Sequence, residues 1–281
     1  MKSHSSFGKV YLVGAGPGAV DLITMRGAKL LAQADIVFYD ALVDPEMLEL
    51  CPQAEKIAVG KRCGKLSSAQ QFINKRLVDA AQKYKIIVRL KGGDPMLFGR
   101  ADEELSTLKQ AGIEVEVVPG ITAGLAGAAS IQQSLTLRGV SRSVAFVTLA
   151  QATEGTEIPN PAQIISNPNA DTVVYYMGRK DAAKIAQQLI AQDNHHTSDT
   201  PVQILEAVST SKERQWESNL GELAKGKADS WFDSNSPALI MVGEALRNKT
   251  EATITESESP SSKINDGLQD GKILTNGRRR A

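Results

Sequence analysis

Cysteine and histidine are nearly absent from this chain. Two cysteines, Cys51 and Cys63, and three histidines occur in 281 residues. The cysteines do not form a CxxC pair and no histidine lies near either, which excludes a zinc-type cluster and a disulfide framework. No metal is expected. So little thiol chemistry fits a reduced, cytoplasmic setting. His4 sits in a polar leader, and His195 and His196, in DNHHTSD, read as solvated loop residues. An excess of charge is missing too, because 32 basic residues balance 32 acidic ones. That balance excludes a bulk electrostatic grip on nucleic acid, so an anionic ligand must be held by local basic residues. No apolar run reaches the ~18 residues of a membrane helix. The opening MKSHSSFGK has no apolar signal-peptide core. Neither membrane insertion nor secretion is expected.

What is present is a regular alternation of short apolar runs and helical stretches. KVYLVGAGPG (9–18) reads as a buried strand and its glycine loop, 24–34 as a helix, and ADIVFYD (34–40) as the next strand. Pro45 opens a short helix. EKIAVGKRCG (55–64) is a third strand running into a basic loop. Ser67 and Gln70 resemble a capping box, before a helix with Ala69, Ile73, Leu77 and Ala81 on one face. KIIVRL, a helix near 100–111 and EVEVV (114–118) complete the first half. This order predicts βαβ units and a mainly parallel sheet. The second half supplies SVAFVTL, TVVYYM, PVQILEAV and PALIMVG, with a helix at 180–192. The polar/apolar mixture of ERQWESN predicts some antiparallel pairing. From about Asn248 the composition turns polar, and 248–281 is expected to be a disordered tail.

The most informative segment is LKGGDPMLFGR (90–100), which breaks off a buried strand. Ligands bind at the carboxyl ends of strands in open parallel sheets. There Gly92 and Gly93 allow a sharp turn and close backbone approach, beside the charge of Asp94. VGAGPGAVDLIT resembles a dinucleotide fingerprint through Gly14, Gly16 and Ala19, with Asp40 as the ribose acid. A nicotinamide-dependent oxidoreductase is the reading this raises. Pro17 opposes it, since proline has no N–H for a pyrophosphate. Asp40 and Lys61 each follow a strand, so both can face one cleft as proton-transfer groups. VPGITAG offers donors at a helix start near Thr122 and Ala123. YYMG ends a strand at Met177, by default a core filler.

These segments together resemble the tetrapyrrole methylases, and among them the enzymes that methylate uroporphyrinogen III. The matching run is GAGPG, D-x-L-V at 40–43, VGKR at 59–62, RLKGGDP-x-x-FGR at 89–100, EEL at 103–105 and VPGITA at 118–123. TLRGVSRSV, YYMG and PALIMVG continue it across about residues 8–247.

The resemblance implies an α/β fold of two domains, 8–121 and 122–247. The first carries a mainly parallel sheet and the second a mixed one, with S-adenosyl-L-methionine in the cleft between them. It implies a homodimer that acts on a tetrapyrrole, with neither nucleic acid nor membrane as partner. The implied reaction methylates uroporphyrinogen III at C-2 and C-7, giving precorrin-2 and S-adenosyl-L-homocysteine, for sirohaem and cobalamin synthesis. Pro17, Gly92, Gly93, Asp94, Leu97, Thr122, Ala123, Met177 and Val208 would line the cofactor site. Asp40 matches the proton acceptor and Lys61 the proton donor. Arg62, Arg100, Arg138 and Arg142 are candidates for the substrate carboxylates, because guanidinium forks match carboxylates; for each, a surface ion pair is the alternative. The chain begins almost at its first strand, so methylation alone is expected, without a dehydrogenase/ferrochelatase module. Ala19, Ala101-Asp102, Leu137, Leu149-Ala150 and Val208-Ser209 depart from the family pattern. Those of the second domain raise the alternative of a paralogue that binds without turning over, and Val208 is expected to crowd the adenine side.

Overall fold

The computed structural model describes residues 7–59, 66–148, 169–192 and 195–248. Lys61, Arg62, Cys63, His4 and Leu149-Ala150 lie outside the described residues. Contacts join the chain up to Arg247 into one unit that carries two five-stranded sheets.

The first sheet contains β1 (Lys9–Gly14), β2 (Ile36–Tyr39), β3 (Glu55–Ala58), β4 (Ile86–Lys91) and β5 (Val115–Val118). Their order is β3-β2-β4-β1-β5, and all four pairings are parallel. Helix α1 (Met25–Leu31) links β1 to β2, α2 (Leu66–Ala81) links β3 to β4, and α3 (Ala101–Gln110) links β4 to β5. The alternation of strand side chains sorts the helices onto two faces. Val13, Val37, Val88 and Leu90 pack with Leu31 of α1 on one face. Val10, Leu12, Phe38 and Ile87 pack with Ile73 and Leu77 of α2 and Leu108 of α3 on the other. The connection from β1 runs past β4, and the connection from β4 runs back past β1. Their loops therefore part in opposite directions at the carboxyl ends of two adjacent strands, which is a topological switch point and the place where such sheets bind ligands.

Local chemistry accounts for the helix starts. Thr24 caps α1 by accepting from Gly27 N–H at 3.1 Å. Asp102, Glu103 and Glu104 fill the first turn of α3 and Lys109 its last, matching the helix dipole. The expected capping box at α2 is not formed as read. Ser67 lies inside the helix, and the Gln70 amide instead donates to Asn74 and to Glu104, at 3.0 and 3.2 Å.

The second sheet contains β6 (Val144–Thr148), β7 (Thr172–Tyr176), β8 (Pro201–Glu206), β9 (Arg214–Asn219) and β10 (Ala238–Gly243), ordered β6-β7-β10-β8-β9. Only β6 and β7 run parallel, and the other pairs are antiparallel, including ERQWESN as β9. Helices α5 (Ala182–Ala191) and α6 (Leu220–Ala224) cover one face with Val173, Tyr175, Ile204 and Ile240. Helix α4 (Ala123–Ser130) covers the other with Val174, Leu205 and Met241.

The expectation for His196 is corrected. The ring is buried at 5% exposure, and burial lowers its pKa, whereas His195 is 41% exposed beside Asp171. Ala170, Asp171 and Glu244, from other segments, lie near the ring, which a loop reading of DNHHTSD could not register.

Candidate active site

The loops after β1 and β4 are fastened together. Gly93 N–H donates to Gly16 O at 2.7 Å and Gly16 N–H to Gly93 O at 3.2 Å. Both glycines have positive φ, 79° and 69°, so each makes a turn that side chains disfavour. The loop before α4 closes on the same point. A Cβ at Gly120 would lie 2.2 Å from Gly93 O and 2.8 Å from Gly14 Cα. Three backbone segments thus touch where no side chain fits. Replacing Gly120 by alanine is expected to destabilise the chain by about 1–3 kcal/mol through overpacking. The check is a thermal denaturation compared with the unaltered protein, and an unchanged midpoint would contradict this packing.

Asp94 acts within the protein itself. Its Oδ1 accepts from Met96 N–H and its Oδ2 from Gly120 N–H, both at 2.8 Å. Its carboxylate therefore ties the β4 loop to the start of α4. Leu42, 66% exposed, packs over Gly92, where a Cβ would lie 3.0 Å from Leu42 Cβ. Pro17 and Leu97 are half-buried on the two joined loops.

Thr122 occupies the N-cap position of α4, but its side chain caps no helix N–H. Its hydroxyl lies 2.7 Å from the Tyr176 hydroxyl at the end of β7. Next to Tyr176, Met177 is 56% exposed with φ 58°. The core-filler reading of Met177 is corrected by this turn, which faces the side chain outward at the strand end. Non-glycine residues held at positive φ cluster at ligand sites, and Ala207 and Ser209 after β8 are two more. Ser209 Oγ accepts from Ala19 N–H at 3.1 Å, so the altered Val208-Ser209 pair still clasps the β1 loop. The Val208 side chain itself is 5% exposed and packs in the core against α4. Its backbone oxygen is directed toward Gly18, where an added Cβ would lie 3.0 Å from it.

Asp40 follows β2, and its Oδ1 accepts from Arg89 Nη2 at 2.5 Å. Arg89 and Lys91 alternate onto the α2–α3 face of β4 and are 2% and 3% exposed. Both meet Glu104 of α3, which is fully buried, at 3.1 and 3.0 Å. Burial weakens Arg89's hold on its proton, and the Asp40 and Glu104 charges more than restore it. Lys91 moves the other way, lowered by burial and then by Arg89. Sequence reasoning missed this network because its members lie up to 64 residues apart, from Asp40 to Glu104. The available signal was charge within an apolar strand, Arg89 and Lys91 in IIVRLK.

Of the arginines, Arg100 pairs with Glu103 at 2.6 and 2.8 Å, so the ion-pair alternative holds there. Arg138 is exposed within the tight turn closed by Leu137 and Ser141, where Gly139 has φ 81°, and Arg142 is exposed just after it. The fold brings Pro17, Gly92, Gly93, Asp94, Thr122 and Ala123 together at the loops described above. It places Arg138 and Arg142 on a separate hairpin after α4.

Comparison with known proteins matches this arrangement. The family model described as Tetrapyrrole (Corrin/Porphyrin) Methylases matches residues 9–224. Uroporphyrinogen-III C-methyltransferase of Pseudomonas aeruginosa is 41% identical over 89% of this chain and 99% of its own. Siroheme synthase of Pseudomonas fluorescens is 42% identical over 85% of this chain, which spans only about half, 50%, of that relative. Among solved structures, uroporphyrin-III C-methyl transferase from Thermus thermophilus, complexed with S-adenyl homocysteine, superposes with a TM-score of 0.70 and 38% identity. That alignment covers 85% of this chain and 94% of the other. In sequence and in fold, the chain belongs to the tetrapyrrole methylases.

Proposed function

We propose that the chain transfers methyl groups from S-adenosyl-L-methionine to uroporphyrinogen III, at C-2 and C-7, giving precorrin-2. The observation that carries this reading is the 41% identity that spans nearly the whole of the Pseudomonas aeruginosa enzyme. The site is consistent with such a donor. At Gly93 a Cβ would project into open space, its nearest neighbour Thr122 Cα at 4.0 Å. The two cations of the β4 loop region, Lys91 and Arg100, are already held by Glu104 and Glu103. Backbone carbonyls of the glycine loops would suit a positively charged sulfonium better than basic side chains.

When bound, the donor supplies an electrophilic methyl group. The chain's own task is to hold a nucleophilic pyrrole carbon in line with it, which is chiefly positioning. Methylation changes the protonation of the macrocycle, so an acid/base group belongs beside it. Asp40 is proposed as proton acceptor and Lys61 as donor. Arg62, Arg100, Arg138 and Arg142 are proposed for the eight substrate carboxylates; Arg100 would have to exchange its Glu103 partner for one of them. The two sheets are read as two domains meeting near residues 121–122, in a cytoplasmic homodimer serving sirohaem or cobalamin synthesis. Among the described residues no helix is long and apolar enough to cross a membrane. Calorimetric titration with S-adenosyl-L-homocysteine and with NAD(H) tests the reading. S-adenosyl-L-homocysteine is expected to bind and the dinucleotide not to, and binding of the dinucleotide alone would overturn it.

A further inference from the structure

We infer that Tyr176 is a positioning residue of the donor cleft, one that takes the place of a helix cap and holds both walls of the cleft at once. The inference rests on the proposed donor site and concerns a residue outside the set of donor contacts named above.

The first wall is the start of α4. A cap residue ordinarily accepts a hydrogen bond from the second or third N–H of its helix. Thr122 does not do so. Gly124, two residues on, instead donates its N–H to the Tyr176 hydroxyl at 2.9 Å. This contact explains the glycine. A Cβ at Gly124 would lie 2.6 Å from the Tyr176 hydroxyl and 2.9 Å from Phe146 Cε1. A phenol has one proton to donate. Thr122 Oγ1 lies 2.7 Å from the same phenol oxygen, and either hydroxyl can be the donor. Burial raises the Tyr176 pKa, which keeps the phenol proton in place.

The second wall is the β4 loop. The Tyr176 ring lies 5.2 Å from that of Phe98 and 6.1 Å from that of Phe146. Phe98 has φ 54°, uncommon for a bulky residue, and Arg100 has φ 55°. Between them Gly99 has no room for a side chain, since a Cβ would lie 2.6 Å from Pro95 O. Such a strained turn persists when neighbours over-determine it. The tyrosine ring is one of those neighbours, so a single side chain registers the 92–100 loop against residues 122–124.

Tyr176→Phe keeps the ring contacts and removes only the oxygen. Its dissociation constant for S-adenosyl-L-homocysteine is expected to rise about 5- to 10-fold, the size of one or two lost hydrogen bonds. The KM for the methyl donor should rise in step, with kcat at saturating donor within about twofold of the unaltered enzyme. Gly124→Ala is the second variant. It keeps every hydroxyl but displaces the phenol, and the same loss of affinity is expected. A role confined to folding would lower the thermal midpoint and leave both constants unchanged. Unchanged homocysteine affinity in both variants, with the unaltered chain binding normally, would overturn the inference and leave the proposed function standing. Failure of the unaltered chain to bind would overturn both.

Discussion

Glu104→Gln is expected to lower the thermal midpoint by roughly 10 °C, equivalent to about 3–5 kcal/mol for removing one partner from a buried ion cluster. The carboxylate is fully buried and contacts Arg89, Lys91 and Gln70. The amide would leave Lys91 charged in the interior with no anion against it, and Arg89 with Asp40 alone. The pH dependence gives a second handle. Burial and Arg89 hold Lys91 below its ordinary value of 10.5, while Glu104 pulls it upward. The folded chain therefore binds that proton less tightly than the unfolded chain does. Stability from this group rises with pH through the window below 10.5. Without the Glu104 charge the window extends to lower pH, because Lys91 gives up its proton sooner. The deficit of the variant should thus shrink as the pH is raised toward about 10. Denaturation of both proteins across that range measures it, and a deficit that stays constant or grows would contradict the cluster described.

Asp40→Asn should lower turnover by about 100-fold or more, the range for losing a general acid–base group. Affinity for S-adenosyl-L-homocysteine should stay within about twofold. The geometry separates the two effects. Asp40 Oδ1 accepts from Arg89 Nη2 at 2.5 Å, and the carboxylate keeps 29% exposure at the end of β2. The glycine junction of the proposed donor cleft lies on other loops, after β1 and β4. An amide still accepts from Arg89 through its oxygen but cannot take a proton from the macrocycle. Single-turnover kinetics beside calorimetry distinguishes the outcomes, and equal losses in rate and affinity would rule out the proton-transfer role.

Much of this was legible along the chain. Strands with continuous apolar runs, such as YLV in β1 and IIV in β4, announce burial on both faces, and the glycines that follow the strands mark the carboxyl edge of the sheet. Sequence could not show what the charged residues near those edges touch. Asp94 reads as a ligand-facing acid, yet its two oxygens bind the backbone of Met96 and Gly120. Arg89 and Lys91 bring charge into an otherwise apolar strand, and the linear order does not show that they face Glu104 across a closed interior. Helix α4, AGLAGAAS, is nearly all small residues and has no polar face to give a period. Its glycines answer to Tyr176 and Leu205, partners set by tertiary approach. Val208 looks like an obstruction in the linear motif, but its side chain turns into the core while its neighbour Ser209 makes the contact with Ala19.

The chain is proposed to transfer methyl groups to a tetrapyrrole. Incubation with uroporphyrinogen III and methyl-labelled S-adenosyl-L-methionine tests it most directly, with label counted in the isolated macrocycle. Two labelled methyl groups per macrocycle, with S-adenosyl-L-homocysteine released in the same ratio, is the predicted result. Binding of the donor with no label reaching the macrocycle would contradict the account and favour a binding-only paralogue.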